Sequence, residues 1–432
     1  MRYFGTKTAA YYERMHDALL PTTIEDFRPV IKSAKGVWVT DVDDNKFLDF
    51  TSQVGIVVDH VSEDVVGAVQ EQATRALGII SNDFQFASVH GRGILLGEEV
   101  SPVKLAEELI KLTPVPYPKK VLFEVSGATA VNAAIKICRA AKPNKNLFVA
   151  FEKAFHGRHG PSLDISSSKP IHKFLHQDGY TVMRVPFPEV NISLKEYQKR
   201  VNYMPPDYLL NAFFVEIVQG EGGINIPNLK ALNWLHRHVK SLGGFFVVDE
   251  VQTGLGRTGK MFASEYLDDQ PDMIVLSKAL GAGVPIGAVV TRTDILPNGT
   301  IPQSAHSGTM PACPLAVAAA LANLRFMQDE DLVRRSAEMG KYLRSRLRSI
   351  ADSFPIITDV DSLGGLMIRV EFDSKVAADK AVIECLSEDP GLLLIEAGDK
   401  TIRFMPPLSV SKDEIDLALS IFSNVLKTRI SS

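Results

Sequence analysis

Two residues of opposite charge follow two short apolar segments, and together they could carry out one kind of chemistry. Lys278 follows residues 273–277, and Asp249 follows residues 245–248. If both segments are strands of one parallel sheet, the amine and the carboxylate meet at the carboxyl edge, where open α/β sheets bind ligands. A lysine amine can form an imine with an aldehyde, and a carboxylate can keep a ring nitrogen protonated. The pair therefore predicts a site for pyridoxal 5′-phosphate (PLP).

Each residue of this pair has an ordinary explanation when it is taken alone. An aspartate at a strand end usually caps a helix, and a lysine there is usually solvated. Two features favour a shared site instead. The segment 249–259 is polar and rich in glycine, and Lys278 stands at the end of the next predicted strand. Neighbouring parallel strands would bring both side chains into one cleft.

Loops at other predicted strand ends could complete such a site. Ser126, Gly127 and Ala128 open a predicted helix, whose first N–H groups could bind a phosphate. Phe155 could stack on a ring, and Arg158 in the same loop could bind a carboxylate. When no other motif is considered, an ordinary capped helix is the favoured explanation of residues 126–128, and a surface loop explains Phe155 and Arg158 at least as well.

Two charged residues in other segments are candidates for a second role. Glu221 lies in the glycine-rich segment 219–223, which follows a predicted strand. Arg403 lies among apolar neighbours in a short predicted strand, where a guanidinium requires an anionic partner. Alternatively, the glutamate is solvated, and the arginine packs its apolar stem while its head stays in water. The segment 306–309 could likewise bind a phosphate or simply lead into a helix.

The composition excludes several other classes of protein. The 432 residues exceed what one ordinary core holds, so two lobes are expected. The net charge of −4 is small for this length and argues against binding to nucleic acid or an anionic membrane. The three cysteines are widely spaced, form no metal-ligand pattern and fit a reducing compartment. Neither a signal sequence nor a run of roughly 20 apolar residues is apparent, so we expect a cytoplasmic protein.

From about residue 120, short apolar segments alternate with helical patterns. This alternation predicts an α/β fold with a large, doubly wound, mostly parallel sheet that helices cover on both faces. Its predicted strands cover residues 121–125, 147–151, 213–218, 245–248, 273–276 and 287–291. An alanine-rich helix over residues 311–327 would lead out of this large domain.

The two ends of the chain are predicted to form a smaller α+β domain. Residues 37–42 and 46–50 form a predicted hairpin. The C-terminal part mixes helices with predicted strands at residues 365–372, 392–396 and 401–405. The expected organisation is an N-terminal segment that joins the small domain, a large PLP-binding domain and a C-terminal small domain, over residues 1–50, 51–325 and 326–432.

Taken in chain order, these motifs resemble the class-III (ω-amino acid) aminotransferases of PLP fold type I, from about Gly36 to Ile421. The most specific motif is Asp249-Glu250-Val251-Gln252-Thr253-Gly254, followed by Ser277-Lys278. The resemblance implies that Lys278 binds PLP covalently and moves a proton between Cα of the substrate and C4′ of the cofactor. It also implies that Asp249 pairs with the ring nitrogen and that Gln252 bonds the ring hydroxyl.

The resemblance implies further contacts with the cofactor and a shared site. The expected cofactor contacts are Ser126, Gly127, Ala128, Phe155, His156, Val251 and Thr309. Among them, Phe155 and Val251 would enclose the ring, whereas Thr309 would reach the phosphate from a neighbouring subunit. A homodimer or larger homo-oligomer with shared active sites is therefore implied.

Among class-III enzymes, the 4-aminobutyrate aminotransferases resemble this sequence most. They imply an amino donor such as 4-aminobutyrate, 2-oxoglutarate as the acceptor and a ping-pong mechanism. Glu221 and Arg403 match a pair that is closed for an ω-amine donor, whereas with 2-oxoglutarate the arginine binds the α-carboxylate. Val54 and Arg158 are the further candidate substrate contacts, and Arg158 is a candidate for the distal carboxylate.

Other activities of this fold stay open at this point. Acetylornithine and ornithine aminotransferases share the arrangement of Glu221 and Arg403, and an amino-acid racemase, epimerase or 2,1-aminomutase could use the same cofactor site. The sequence departs from the family pattern at Thr129, Ile217, Cys313 and Leu363, and at Asp59, which precedes His60 where the family has a Gly-His pair. These departures leave the PLP residues intact but weaken the assignment to one substrate. A non-enzymatic binding protein is disfavoured because Lys278 and Asp249 are both present.

Overall fold

The structure is a computed structural model of the chain. It describes residues 5–20, 22, 28–55, 58–78, 85–91, 97–168, 180–203, 209–296, 301–302 and 305–430. The strands in these ranges are β1 (Ile31–Lys35), β2 (Trp38–Asp41), β3 (Lys46–Asp49), β4 (Ser88–Val89), β5 (Glu99–Val100), β6 (Lys119–Glu124), β7 (Leu147–Phe151), β8 (Thr181–Val185), β9 (Leu210–Val215), β10 (Phe245–Asp249), β11 (Met273–Leu276), β12 (Gly287–Arg292), β13 (Ile357–Asp361), β14 (Ile368–Phe372), β15 (Gly391–Leu393), β16 (Ile395–Ala397) and β17 (Thr401–Phe404). The α-helices there span Thr6–Ala18, Glu63–Ala73, Pro102–Leu112, Gly127–Ala141, Pro161–Asp164, Leu194–Arg200, Leu229–Ser241, Pro314–Asp329, Leu332–Ala351, Lys375–Leu386 and Lys412–Val425.

The central sheet has seven strands in the order β6-β12-β11-β10-β9-β7-β8. Strands β7 to β11 are all parallel to one another, whereas β12 is antiparallel to both β11 and β6. Every residue of β10 and β11 is buried, as expected of a sheet that is covered on both faces. The predicted fold class, an α/β protein with a large, mostly parallel sheet, is confirmed.

The sequence pattern misses one strand of this sheet. Strand β8 lies at the edge, and it contains the polar residues Thr181 and Arg184. An edge strand is only partly covered, so it need not form a continuous apolar run. The predicted strand at 213–218 is also displaced, because β9 ends at Val215 and the buried apolar residues continue into the following loop.

Two smaller sheets join the two ends of the chain. Strands β13, β14, β17 and β16 form an antiparallel sheet, and β15 pairs with β3 in a second sheet that contains β1 and β2. The single strand predicted at 392–396 is wrong, because β15 and β16 belong to different sheets and Leu394 lies between them. The domain limits at residues 50 and 325 stay predictions.

The alanine-rich helix begins later than its sequence pattern indicates. It starts at Pro314, since proline lacks an N–H group and suits the first turn of a helix, whereas Ala312 has a positive φ of 54°. No helix in the described part of the chain is long and apolar enough to cross a membrane.

Candidate active site

The carboxyl ends of β9, β10 and β11 lie side by side, and polar residues at these ends line one cavity. The register pairs Asp249 with Val275, so β10 and β11 end at nearly the same level, and Lys278 follows β11 after Ser277. The cavity has a volume of about 280 Å³ and is lined by Ser126, Gly127, Ala128, Phe155, His156, Gly157, Arg158, His159, Glu216, Val218, Glu221, Asp249, Val251, Gln252, Thr253, Ser277 and Lys278. The lysine and the aspartate therefore share one cavity.

Lys278 is the first residue of a short 3₁₀ turn, and its φ of 42° is unusual for a residue other than glycine. Its side chain is withdrawn from bulk water, and this burial lowers the pKa of the amine to about 8. The carboxylate of Glu221 opposes the shift, and Arg403 adds to it. A neutral amine is the nucleophilic form, so this lysine suits covalent attachment of a carbonyl compound.

Asp249 is buried at the end of β10, and both of its carboxylate oxygens have partners. Nδ1 of His156 lies 2.8 Å from Oδ2, and the Val251 amide donates to Oδ1 at 3.0 Å. These contacts fix the orientation of the carboxylate. The structure thus places His156, a predicted cofactor contact, against Asp249. Its Nε2 atom is buried and has no hydrogen-bond partner among the residues that the structure describes.

The helix Gly127–Ala141 begins at the same cavity. The Ser126 hydroxyl accepts from the Thr129 amide at 3.2 Å, and Thr129 Oγ1 accepts from the Ser126 amide at 3.1 Å. Thr129 therefore completes a reciprocal cap although it departs from the family pattern. A Cβ on Gly127 would lie 3.0 Å from Val251, so a side chain would not fit there without a shift. N–H groups in the first turn of a helix lack intrahelical acceptors, and they suit a phosphate group.

Gln252 shows that the cavity fits a ring cofactor with a hydroxyl group. Its Oε1 atom is buried and has no hydrogen-bond partner within the described ranges. Gly220 packs against it so closely that a Cβ on this glycine would lie 1.6 Å from Oε1. A buried amide oxygen without a partner is costly, and a hydroxyl group of bound PLP would supply the missing donor.

Glu221, which is partly exposed, and the buried Arg403 form an ion pair beside the cavity. Nη1 of Arg403 donates to Glu221 at 2.7 Å, and Nη2 donates to the carbonyl oxygen of Glu396 at 3.0 Å. Arg403 is only 2% exposed, so the alternative in which its head stays in water is wrong. The alternative of a solvated Glu221 is also wrong, since its carboxylate is paired.

Phe155 and Arg158 lie in the loop that follows β7, and both line the cavity. The guanidinium carbon of Arg158 lies 5.7 Å from the centroid of the Phe155 ring, which is a typical cation–π distance. Arg158 is exposed, so its charge is accessible to an anionic ligand.

Three predicted contacts do not line the cavity: Arg403, which is paired with Glu221 beside it, Thr309 and Val54. Thr309 lies in an exposed loop, and a single chain does not bring it to the other site residues. Val54 belongs to a left-handed turn, Ser52–Gly55, in which its φ is 62°. The turn borders the site, because a Cβ on Gly55 would lie 3.6 Å from the backbone oxygen of Gln252.

Glu216 lines the cavity although it lies outside the predicted set. Its carboxylate accepts from the Phe155 amide at 2.9 Å and from the Gly220 amide at 3.2 Å. Burial raises the pKa of Glu216 to about 7; His156 opposes this shift and Asp249 adds to it. The sequence feature that could have identified Glu216 is the same as for Asp249: a carboxylate that follows an entirely buried strand, here β9. The other unpredicted lining residues are Gly157, His159, Val218, Thr253 and Ser277.

Comparisons with known proteins identify the family. The model of the family "aminotransferase class-III" matches residues 22–426. A Bacillus subtilis (strain 168) relative, named probable 4-aminobutyrate aminotransferase, is 31% identical and covers 97% of this chain and 98% of its own. Ornithine aminotransferase 2 from Staphylococcus aureus is 34% identical over 92% of this chain and 94% of its own. The solved ornithine aminotransferase of Toxoplasma gondii, described with PLP at its active site, has a TM-score of 0.83 at 26% identity and covers 97% of this chain and 94% of its own.

The chain belongs to the class-III aminotransferases. It is a PLP-dependent enzyme that moves an amino group from an amino donor to a 2-oxo acid, so the predicted cofactor and class of reaction are confirmed. The named relatives include both a 4-aminobutyrate and an ornithine aminotransferase, so the amino donor is a separate question.

Proposed function

We propose that this enzyme transfers the amino group of an ω-amino acid such as 4-aminobutyrate to 2-oxoglutarate by a ping-pong mechanism. The observation that carries the proposal is the closed ion pair of Glu221 and Arg403 beside the cavity of Lys278. While this pair is closed, Arg403 does not offer its charge to a carboxylate next to the reacting amine. An ω-amino acid has no carboxylate at that position, so it is the kind of donor that the closed pair admits.

Arg158 supplies the cation for the distal carboxylate of such a donor. It lines the cavity, it is exposed, and it has no ion-pair partner among the described residues. Its contact with the Phe155 ring restricts the position of the guanidinium. A carboxylate can accept two parallel hydrogen bonds from a guanidinium, which fixes the orientation of the donor as well as its position.

The acceptor, 2-oxoglutarate, carries a carboxylate beside its reacting carbonyl, and this carboxylate replaces Glu221 at Arg403. The guanidinium stays anchored by the carbonyl oxygen of Glu396 during the exchange. A buried guanidinium without an anion would be strongly unfavourable, so the exchange of one carboxylate for another leaves the charge compensated.

The other residues around the cavity have separate roles in the proposed reaction. Lys278 holds the cofactor and then, as a free neutral amine, takes the proton from the amine-bearing carbon of the donor. PLP, when bound, supplies the electron-withdrawing ring that makes this proton acidic. Asp249, oriented by His156, keeps the ring nitrogen protonated, and Gln252 holds the ring hydroxyl. The capped helix start at Gly127 holds the phosphate.

A second copy of the chain completes the site in this proposal. Thr309 is exposed in its own chain and would reach the phosphate of a partner. Because the contact would come from another subunit, a homodimer is the smallest assembly with complete active sites.

An ornithine-type reaction is the second candidate for the donor. Ornithine aminotransferase 2 from Staphylococcus aureus is 34% identical to this chain. The closed pair of Glu221 and Arg403 admits any donor that reacts at a terminal amine, and ornithine and N-acetylornithine both carry one. Their second nitrogen, which 4-aminobutyrate lacks, distinguishes these donors from it.

The test is a set of donors given to the purified PLP enzyme without any 2-oxo acid, with its absorbance recorded. 4-Aminobutyrate is expected to convert the cofactor to its amine form, and 2-oxoglutarate is expected to restore the starting spectrum. Conversion by ornithine or N-acetylornithine alone would select the second candidate. If no donor converts the cofactor but one L-amino acid loses optical activity, the enzyme is a racemase and the proposal is wrong.

A further inference from the structure

Glu216 is the buried carboxylate of the cavity for which the reaction itself requires no role. It follows β9, which lies between β7 and β10 in the central sheet. Its side chain is 6% exposed. Among the described residues its carboxylate forms no salt bridge with a lysine or an arginine, although it interacts electrostatically with His156 and Lys278.

Both oxygens of this carboxylate accept a hydrogen bond from the backbone, and the two donors belong to different loops. Oε2 accepts from the Phe155 amide at 2.9 Å, in the loop after β7. Oε1 accepts from the Gly220 amide at 3.2 Å, in the loop after β9 itself. One side chain therefore sets the distance between two loops that border the cavity.

Each of these loops carries residues that the proposed reaction uses. Phe155 lies in the first loop and is the expected stacking partner of the ring. Gly220 is packed against the Gln252 amide, since a Cβ on it would lie 1.6 Å from Oε1, and the next residue, Glu221, is paired with Arg403. A shift of the Gly220 backbone would thus displace the Gln252 amide and Glu221.

We propose that Glu216 is a positioning residue, which holds Phe155 and Gly220 at the separation that PLP requires and thereby sets the affinity of the site for the cofactor. It touches neither the reacting atoms nor, through a direct bond, Arg403. The inference deepens the proposed function but rests only on the PLP chemistry of the class, so it does not depend on which amino donor the enzyme uses.

Because the charge of Glu216 is buried, its effect on PLP binding can be distinguished from its effect on the stability of the fold. Burial raises the pKa of Glu216 to about 7, so the folded protein holds the carboxylate at an energetic cost above that pH. Glu216→Gln removes the charge, and it places an NH₂ group, which accepts no hydrogen bond, against either the Phe155 amide or the Gly220 amide. The substitution should therefore loosen the two loops without a matching loss of stability at neutral or higher pH.

Glu250 offers a matched control on the neighbouring strand. It follows Asp249, it is 2% exposed, and its two oxygens accept from the Ala263 amide at 3.1 Å and the Ser264 amide at 2.7 Å. It does not line the cavity. Its Oε2 also accepts from the hydroxyl of Thr253, which lines the cavity, but the Glu250 carboxylate itself does not reach the cavity. Glu250→Gln thus removes a buried carboxylate that has the same kind of backbone contacts but does not line the cofactor site.

The experiment is a titration of PLP into the apo forms of the wild type, Glu216→Gln and Glu250→Gln, with the Tm of each apo form as a second readout. Glu216→Gln is expected to weaken PLP binding about tenfold or more, as loss of a hydrogen bond to a charged group implies, whereas Glu250→Gln should stay within about twofold of the wild type. The Tm of apo Glu216→Gln is expected to fall no further than the Tm of apo Glu250→Gln.

Equal PLP affinity in Glu216→Gln and Glu250→Gln would overturn the proposal. If Glu216→Gln does not fold, Glu216→Asp decides the matter, because it keeps two acceptor oxygens on a shorter side chain. Weaker PLP binding by folded Glu216→Asp supports positioning, and unchanged binding overturns it. A failure of all these proteins to accept 4-aminobutyrate would instead contradict the proposed substrate and leave the affinity comparison intact.

Discussion

Two parts of the active site are built in different ways, the pair of Lys278 and Asp249 and the pair of Glu221 and Arg403. The first pair lies at the ends of β10 and β11, which are adjacent in the sheet and nearly adjacent in the chain. The second pair joins residues 182 positions apart, one from a loop after the central sheet and one from β17 in the C-terminal sheet.

We infer from this difference that the PLP chemistry of the class and the choice of substrate depend on different parts of the fold. The register of the neighbouring strands β10 and β11 fixes the relative positions of Lys278 and Asp249, the pair proposed to bind PLP. The second pair depends on how the C-terminal sheet packs beside the large sheet. A change in that packing can alter which carboxylates are admitted while the first pair is unchanged.

The largest effect is expected from Lys278→Ala, which removes the amine that is proposed to hold PLP and to transfer the proton. Turnover should fall by at least about 10³-fold, and the absorbance of the covalently held cofactor should disappear. Lys230→Ala, at an exposed lysine, is the control and should behave like the wild type. Retained turnover in the Lys278 variant would show that the first pair is not the catalytic one.

A smaller loss is expected from Asp249→Asn. The amide carries no charge to keep the ring nitrogen protonated, and its NH₂ group would face either the Val251 amide or His156. Turnover should fall roughly 10²-fold, with a smaller loss of PLP affinity, in steady-state assays and apo-enzyme titrations. Asp268→Asn, at an exposed aspartate, should leave both quantities unchanged. A loss of affinity without a loss of turnover would contradict the assigned role.

The comparison between the two pairs is tested most directly by Arg403→Ala. A charge-assisted contact is worth roughly 2 kcal/mol, so kcat/KM for 2-oxoglutarate should fall about 30-fold. The half-reaction with the ω-amine donor should be affected less, because that donor does not use Arg403. Single-turnover measurements of the two halves would check this. An equal loss in both halves would mean that the second pair is structural and does not select substrates.

The smallest expected effect concerns pH. Burial lowers the pKa of Lys278 to about 8, so about half of the amine is neutral at that pH. Nearly all of it is neutral well below 10.5, the ordinary pKa of lysine. The rate at which apo-enzyme captures PLP should rise about tenfold between pH 7 and a plateau above pH 9. A rate that still climbs toward pH 10.5 would show that the amine is not shifted.

The same shift has a consequence for stability with a definite sign. Between pH 8 and pH 10.5 the unfolded chain binds a proton at Lys278 that the folded chain does not bind. The contribution of this lysine to the free energy of unfolding therefore rises with pH across that window. Apo Lys278→Met should lack this rise, which thermal unfolding at several pH values would measure.

The sequence by itself predicted much of the large sheet and the first pair. Apolar runs mark strands that are buried on both faces, and β7 and β11 match their predicted bounds. The polar residues that follow such runs then fall at one edge. The edge strand β8, the mostly exposed strand β1 and the partly buried strand β13 were not predicted, because their residues are mixed in polarity.

Only the tertiary structure decided the contacts between distant segments. The sequence did not reveal that Arg403 is buried, that His156 orients Asp249 or that Glu216 holds two loops together. It also read residues 392–396 as one strand, although β15 and β16 belong to different sheets. A local pattern reports how a segment is buried, because burial selects residue types along that segment. The identity of a partner far along the chain depends on how separate sheets pack, and no local pattern records it.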